Sequence, residues 1–272
     1  MSSDGEPSPG VSASDAAGSG SATSDDHRLA HTIAAEVADR LYALQEEMID
    51  AGANNYDIEH VGDRVAHDWI VEQLTAARPL DALLSEEGHD DRTRVSSSRT
   101  WIIDPLDGSS GFGYGGPEWA VHVALAIDGQ PVVGAVGSPG VGVVASTYDT
   151  PTGDVRVRDR PIVVTGRTRS YSEGALLGRA LGAEVVACSS AGVKAALVAT
   201  GRADVYVHDS PLYEWDVCAP AAMAIAAGLD VSDPFGEPLE FNRSRPVVEG
   251  IVVCRPEFTE TVLHALADRR VF

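Results

Sequence analysis

Trp101-Ile-Ile-Asp104-Pro105-Leu106-Asp107-Gly108-Ser109-Ser110 is an apolar strand that runs into two aspartates three residues apart. Pro105 fixes its own φ and has no N–H, so the strand is not expected simply to continue past Asp104. Gly-Ser-Ser then reads as the entry to a helix. The arrangement presents the Asp104 and Asp107 carboxylates at a strand end, where the Leu106 carbonyl also faces inward. Hard divalent cations such as Mg²⁺ take this kind of oxygen set. The free N–H groups of Gly108, Ser109 and Ser110 follow directly, and a helix start of this kind can receive a phosphate. Asp-Pro and Asp-Gly are also ordinary turn dipeptides, and taken alone the pair reads as a turn.

Two other acidic placements strengthen the metal reading. Ala82-Leu-Leu-Ser-Glu86-Glu87 is a second apolar strand ending in acids, and Trp215-Asp216 precedes a helix of small residues, Val217–Ala227. Each alone is a solvated end or a helix cap. Together they imply a shared acidic pocket, which like-charge repulsion would make unstable without cations.

Composition narrows the partners. The chain of 272 residues has 41 acids against 20 Lys and Arg, a formal charge of −21. Nucleic-acid polymers and anionic lipid surfaces both require a basic face, so neither is an expected partner. No membrane span or signal peptide is read in the sequence, and the expectation is a cytoplasmic protein. An acidic surface is also compatible with salt adaptation. Cys188, Cys218 and Cys254 are far apart and odd in number, which suggests neither a disulfide framework nor a zinc knuckle. The single lysine is Lys194.

Residues 1–26 are rich in Ser, Gly, Ala and Pro and hold five acids with no Lys or Arg, so they read as a disordered acidic tail. Leu29, Ile33, Val37, Leu41, Leu44 and Met48 recur at helical spacing, with Asp25 or Asp26 as the cap. A second helix is predicted over about 63–77. Strands follow at Ala82–Ser85, Thr100–Asp104 and about 121–127. Asp128-Gly129 turns the last of these into a hairpin. Beyond residue 152 strands and helices alternate. The reading is a layered α/β fold in two subdomains, 27–152 carrying most metal ligands and 153–272 supplying Asp216 and substrate contacts.

Glu86-Glu87, Asp104-Pro-Leu-Asp107-Gly-Ser109 and Trp215-Asp216, in this order and spacing, resemble the three signatures of the inositol monophosphatase superfamily over roughly residues 28–270. The resemblance implies an αβαβα sandwich and a Mg²⁺-dependent phosphomonoesterase using two or three ions. It implies one ion held by Glu86, Asp104 and the Leu106 carbonyl, and a second by Asp104, Asp107 and Asp216. Asp63, in Gly62-Asp63-Arg64 at a helix start, matches the family aspartate that works with a hydroxyl, here Ser109, to activate the attacking water. It further implies a homodimer.

Trp119-Ala-Val-His122, Ser190-Ala-Gly-Val-Lys194 and Tyr213-Glu-Trp-Asp-Val-Cys resemble actinobacterial members of the 3′(2′),5′-bisphosphate nucleotidase branch. There Lys194 would meet a second substrate phosphate and Ser190 would add a hydrogen bond. The implied substrate is 3′-phosphoadenosine 5′-phosphate, met in sulfate assimilation. Asp107-Gly-Ser109-Ser110-Gly111-Phe112 departs from both the nucleotidase and the inositol phosphatase versions. Asp209 stands where inositol phosphatases place an acidic ligand for sugar hydroxyls. Inositol 1-phosphate and fructose 1,6-bisphosphate are therefore alternative substrates, and a non-catalytic phospholigand-binding regulator is the alternative of another class.

Overall fold

Large and small side chains alternate along Ala120-Val-His-Val-Ala-Leu-Ala-Ile127, and that alternation builds the layers. In the computed structural model, which describes residues 21–150, 158–167 and 171–269, this segment is a strand buried on both faces. Val121, Val123 and Leu125 face one helical layer, while Ala120, Ala124 and Ala126 face another. Period-two patterning with bulk on one side only lets helices approach closely on the other.

In chain order the elements are α1 (Ser24–Asp50), α2 (Asn55–Ala77), β1 (Ala82–Ser85), β2 (Arg99–Asp107), α3 (Ser109–Gly113), β3 (Ala120–Ile127), β4 (Gln130–Ser138) and β5 (Val143–Ser146). Then come β6 (Ile162–Thr165), α4 (Tyr171–Leu181), β7 (Glu184–Ala187), α5 (Ala191–Ala199), β8 (Val205–His208), β9 (Leu212–Tyr213) and α6 (Glu214–Ala226). The chain closes with β10 (Asp230–Ser232), β11 (Val247–Val248), β12 (Ile251–Cys254) and α7 (Thr259–Arg269).

One five-stranded sheet has the order β1-β2-β3-β4-β5, a second has β10-β12-β8-β6-β7, and β9 pairs with β11 in a two-stranded sheet. Helices α1 and α2 cover the outer face of the first sheet. Helices α5 and α6 lie between the sheets, and α4 and α7 cover the far face of the second. This is the layered α/β arrangement expected. The Asp128-Gly129 turn is as predicted, with positive φ at both residues. The three cysteines are free and buried. No helix among the described residues is long and apolar enough to cross a membrane.

Several expectations need correction. The predicted tail 1–26 lies outside the described residues up to residue 20, but residues 21–26 belong to the fold. The cap of α1 is Thr23, and Asp26 closes a capping box from the third helical position. Asp26 is only 1% exposed because Arg78 (2.6 Å) and Arg99 (3.2 Å) neutralise it. Asp26→Asn is expected to cost about 2 kcal/mol of stability and lower Tm by roughly 5 °C, measurable by thermal unfolding.

Helix α2 starts eight residues earlier than predicted, capped by the Asn54 side chain, so Asp63 sits in mid-helix and is not a cap. Gly62 does not break this helix; it lets Phe112 and Leu106 pack against its backbone. The predicted subdomain junction near residue 152 lies outside the described residues. The Phe112–Gly116 segment is pinned to α1 by Gln45, whose Nε2 donates to the Phe112 and Gly116 carbonyls.

Candidate metal centre

Pro105 does not end the strand. β2 runs on to Asp107, and its register against β3 slips: Asp104 pairs with His122, but Asp107 pairs with Ala120. Three steps on β2 thus match two on β3. In a regular strand residues three apart point to opposite faces; the extra residue of the bulge turns both carboxylates to one side. Asp216, at the third position of α6, completes the set. Oxygens of Asp104, Asp107 and Asp216 all lie within 4.8 Å of one another. The Asp216 side chain also accepts from the Tyr213 amide at 3.0 Å, which fixes it at the helix start.

Glu86 follows β1 directly, and β1 runs parallel to β2 with Ser85 opposite Ile103. That pairing places Glu86 beside Asp104, and burial together with the charges of Glu87 and Asp107 raises the Glu86 carboxyl above its ordinary value. Burial, then the charges of Asp107, Glu86 and Asp216, push Asp104 well above the ordinary carboxylate range. Burial and Asp107 push Asp216 up to about 7. Asp63 faces the same group from α2, and burial with Glu87, Glu86 and Glu59 raises it to about 7.

Asp107 differs. Burial by itself would raise it, but His122, the charge of Lys194 and the Ser190 hydroxyl hold its carboxyl below the ordinary value. Its Oδ2 accepts from Ser190 Oγ at 2.5 Å and from the Gly192 amide at 2.9 Å. Ser190, predicted at the substrate, therefore braces Asp107 and caps α5, accepting from the Val193 amide. Lys194, expected at a second substrate phosphate, is buried within α5. Its ammonium donates to the Ser189 carbonyl at 2.8 Å and the Cys188 carbonyl at 3.3 Å, and sits over the Tyr206 ring.

Ser109 lies at the start of α3, and its hydroxyl donates to Glu59 Oε1 at 3.1 Å. Glu59 escaped the sequence reading. It stands one helical turn before Asp63, a spacing that puts both on one face of α2. Gly108 adopts φ +89°, and a Cβ there would come within 2.9 Å of the Glu118 carbonyl oxygen. Only glycine meets both conditions. Leu106 is buried and its amide donates to Asp104 Oδ1 at 3.0 Å. Ser110 is exposed on α3. Asp209 lies beyond the end of β8, outside the three converging carboxylates.

The donor set fits a hard cation. Asp104 Oδ2 is buried without a hydrogen-bond partner. Carboxylate oxygens crowded at this distance repel unless positive charge lies between them. Oxygen-only ligands of this kind suit Mg²⁺ rather than a thiophilic metal.

The layers and the carboxylates at the strand and helix ends describe a known class of protein. The model of the inositol monophosphatase family matches residues 22–270. The chain belongs to that family and is one of its phosphatases. It is 38% identical over 222 residues to the 3′-phosphoadenosine 5′-phosphate phosphatase of Mycobacterium tuberculosis, covering 78% of this chain and 83% of that protein. Against the protein of the same name from Mycobacterium leprae the identity is 34% over 260 residues, with 89% and 94% covered. Among solved structures, CysQ from Bacteroides thetaiotaomicron superposes with a TM-score of 0.70 at 26% identity, covering 85% of this chain and 97% of that one.

Proposed function

We propose that this phosphatase hydrolyses the 3′-phosphate of 3′-phosphoadenosine 5′-phosphate with Mg²⁺ as cofactor. The observation that carries the cofactor is the convergence of Asp104, Asp107 and Asp216 within 4.8 Å, with a buried Asp104 oxygen left unpartnered. The identity to the mycobacterial relatives supports the substrate.

Glu86, Asp104 and the Leu106 carbonyl would hold one Mg²⁺; Asp104, Asp107 and Asp216 would hold a second. When bound, Mg²⁺ neutralises phosphate oxygens and acidifies water. Asp63 takes the proton of the attacking water, and the Ser109 hydroxyl orients that water. A carboxylate near pKa 7 suits a proton acceptor at neutral pH. The amides of Gly108, Ser109 and Ser110 bind the phosphoryl oxygens for in-line attack. Ser190 and Lys194 act from behind, on Asp107 and its surroundings, and Asp209 remains the candidate for a sugar hydroxyl. The same reading makes the protein a cytoplasmic homodimer that clears a nucleotide produced in sulfate assimilation.

The test compares kcat/KM for 3′-phosphoadenosine 5′-phosphate, inositol 1-phosphate and fructose 1,6-bisphosphate. A preference of at least about a hundredfold for the nucleotide is expected. A preference for inositol 1-phosphate rejects the substrate and leaves the metal centre standing.

A further inference from the structure

We infer that His122 is a positioning residue that ties the two metal-ligand segments together across the fold. The inference rests on the proposal that cations bind at Asp104, Asp107 and Asp216. On the inner face of β3 the row reads Ala120, His122, Ala124, Ala126: one polar side chain among alanines, with no exposed surface. Its Nδ1 lies 3.1 Å from the Trp215 carbonyl oxygen. Its Nε2 lies 3.3 Å from Asp107 Oδ2, an ion-pair contact outside hydrogen-bond alignment.

The ring therefore bridges two pieces of chain that sequence separates by more than a hundred residues. Asp107 ends β2 in the first sheet. Trp215 O belongs to the peptide that joins Trp215 to Asp216 at the start of α6. A contact on that peptide fixes where the Asp216 side chain begins. A contact on Asp107 Oδ2 adds to those from Ser190 and Gly192, and the three together fix how the Asp107 carboxylate is presented. Ligand-orienting partners of this kind are worth 10–100-fold in metal affinity.

The surroundings are built for the ring. A Cβ at Gly192 would stand 2.0 Å from His122 Nε2, so α5 approaches the imidazole only through a glycine. Packing alone would be served better by an apolar side chain, since a buried polar ring costs desolvation.

The test reads metal binding in the substrate-free protein, by calorimetric titration with Mg²⁺ and with Mn²⁺. His122→Leu is expected to bind both ions at least tenfold more weakly while its thermal midpoint in chelator stays near the parent's. His122→Gln keeps one donor and is expected to lose affinity by at least about threefold, less than the leucine variant. It carries the test where the leucine variant fails to fold. Metal affinity equal to the parent's in a folded variant overturns the inference, and a lowered midpoint in chelator with unchanged affinity does the same by making His122 a packing residue. A parent that binds neither ion overturns the metal centre itself, and with it this inference.

Discussion

Asp104→Asn is expected to lower phosphate release by about a thousandfold at saturating Mg²⁺ while the metal-free fold stays at least as stable as the parent's. Asp104 is 1% exposed and is the one side chain assigned to both proposed ions. Asparagine keeps its shape and Oδ1, which accepts from the Leu106 amide at 3.0 Å. It replaces the unpartnered Oδ2 with an amide nitrogen that has no lone pair for a cation and carries no charge. A catalytic metal supplies several kcal/mol of charge stabilisation, and each 1.36 kcal/mol is about tenfold in rate. In chelator the sign reverses. The charges of Asp107, Glu86 and Asp216 all oppose ionisation of Asp104, so removing its charge relieves repulsion. Phosphate assays and melting in chelator are read together. Activity within tenfold of the parent places Asp104 outside the metal site. Loss of activity with loss of the metal-free fold makes it a structural residue.

The elements that position this site were readable where local rules govern them. The strand at Ala82–Ser85 and the Asp-Gly hairpin depend on alternation and turn chemistry, which are local. Errors arose where a distant partner overrides a local signal. Asp26 looks like part of a polar tail until Arg78 and Arg99 come to it from elsewhere in the fold. Gly62-Asp63-Arg64 looks like a helix start, yet α2 begins at Asn55, and Gly62 lies inside it with Phe112 packed on its backbone. Pro105 looks like a strand end, yet a bulge against β3 carries the strand on to Asp107.

The centre itself is assembled from β2, the end of β1, α2 and α6, and no spacing rule in one sequence states that these meet. Resemblance to a family supplied that step. It supplied less about what stands behind the ligands. Ser190 was assigned to substrate, while its hydroxyl bonds Asp107. The resemblance pairs Ser109 with Asp63 and is silent on Glu59, to which the Ser109 hydroxyl donates. His122 stands in a resembling motif and in a row of alanines, but its meaning depends on Trp215 and Asp107 arriving from two other elements.

The carboxylate cluster also predicts how stability depends on pH and on metal. Asp63 and Asp216 are raised from 3.8 to about 7, and Glu86 and Asp104 are raised too. Between about pH 4 and 7 the folded chain therefore holds more protons than the unfolded chain, and stability falls as pH rises through that window. Asp107 is lowered, so its contribution has the opposite sign and is lost only in more acidic solution. Mg²⁺ competes with those protons, because only the ionised carboxylates bind it. A cation at a hundred times its dissociation constant stabilises by about 2.7 kcal/mol, a rise in Tm of roughly 5–10 °C. The expected result is a gain of that size near pH 8 and a much smaller one near pH 5.5. Melting curves with Mg²⁺, with chelator, and with NaCl at matched ionic strength separate binding from screening of the −21 net charge. Equal gains at both pH values, or an equal gain from NaCl, would show that the cluster does not take up the ion, because screening needs no deprotonated site.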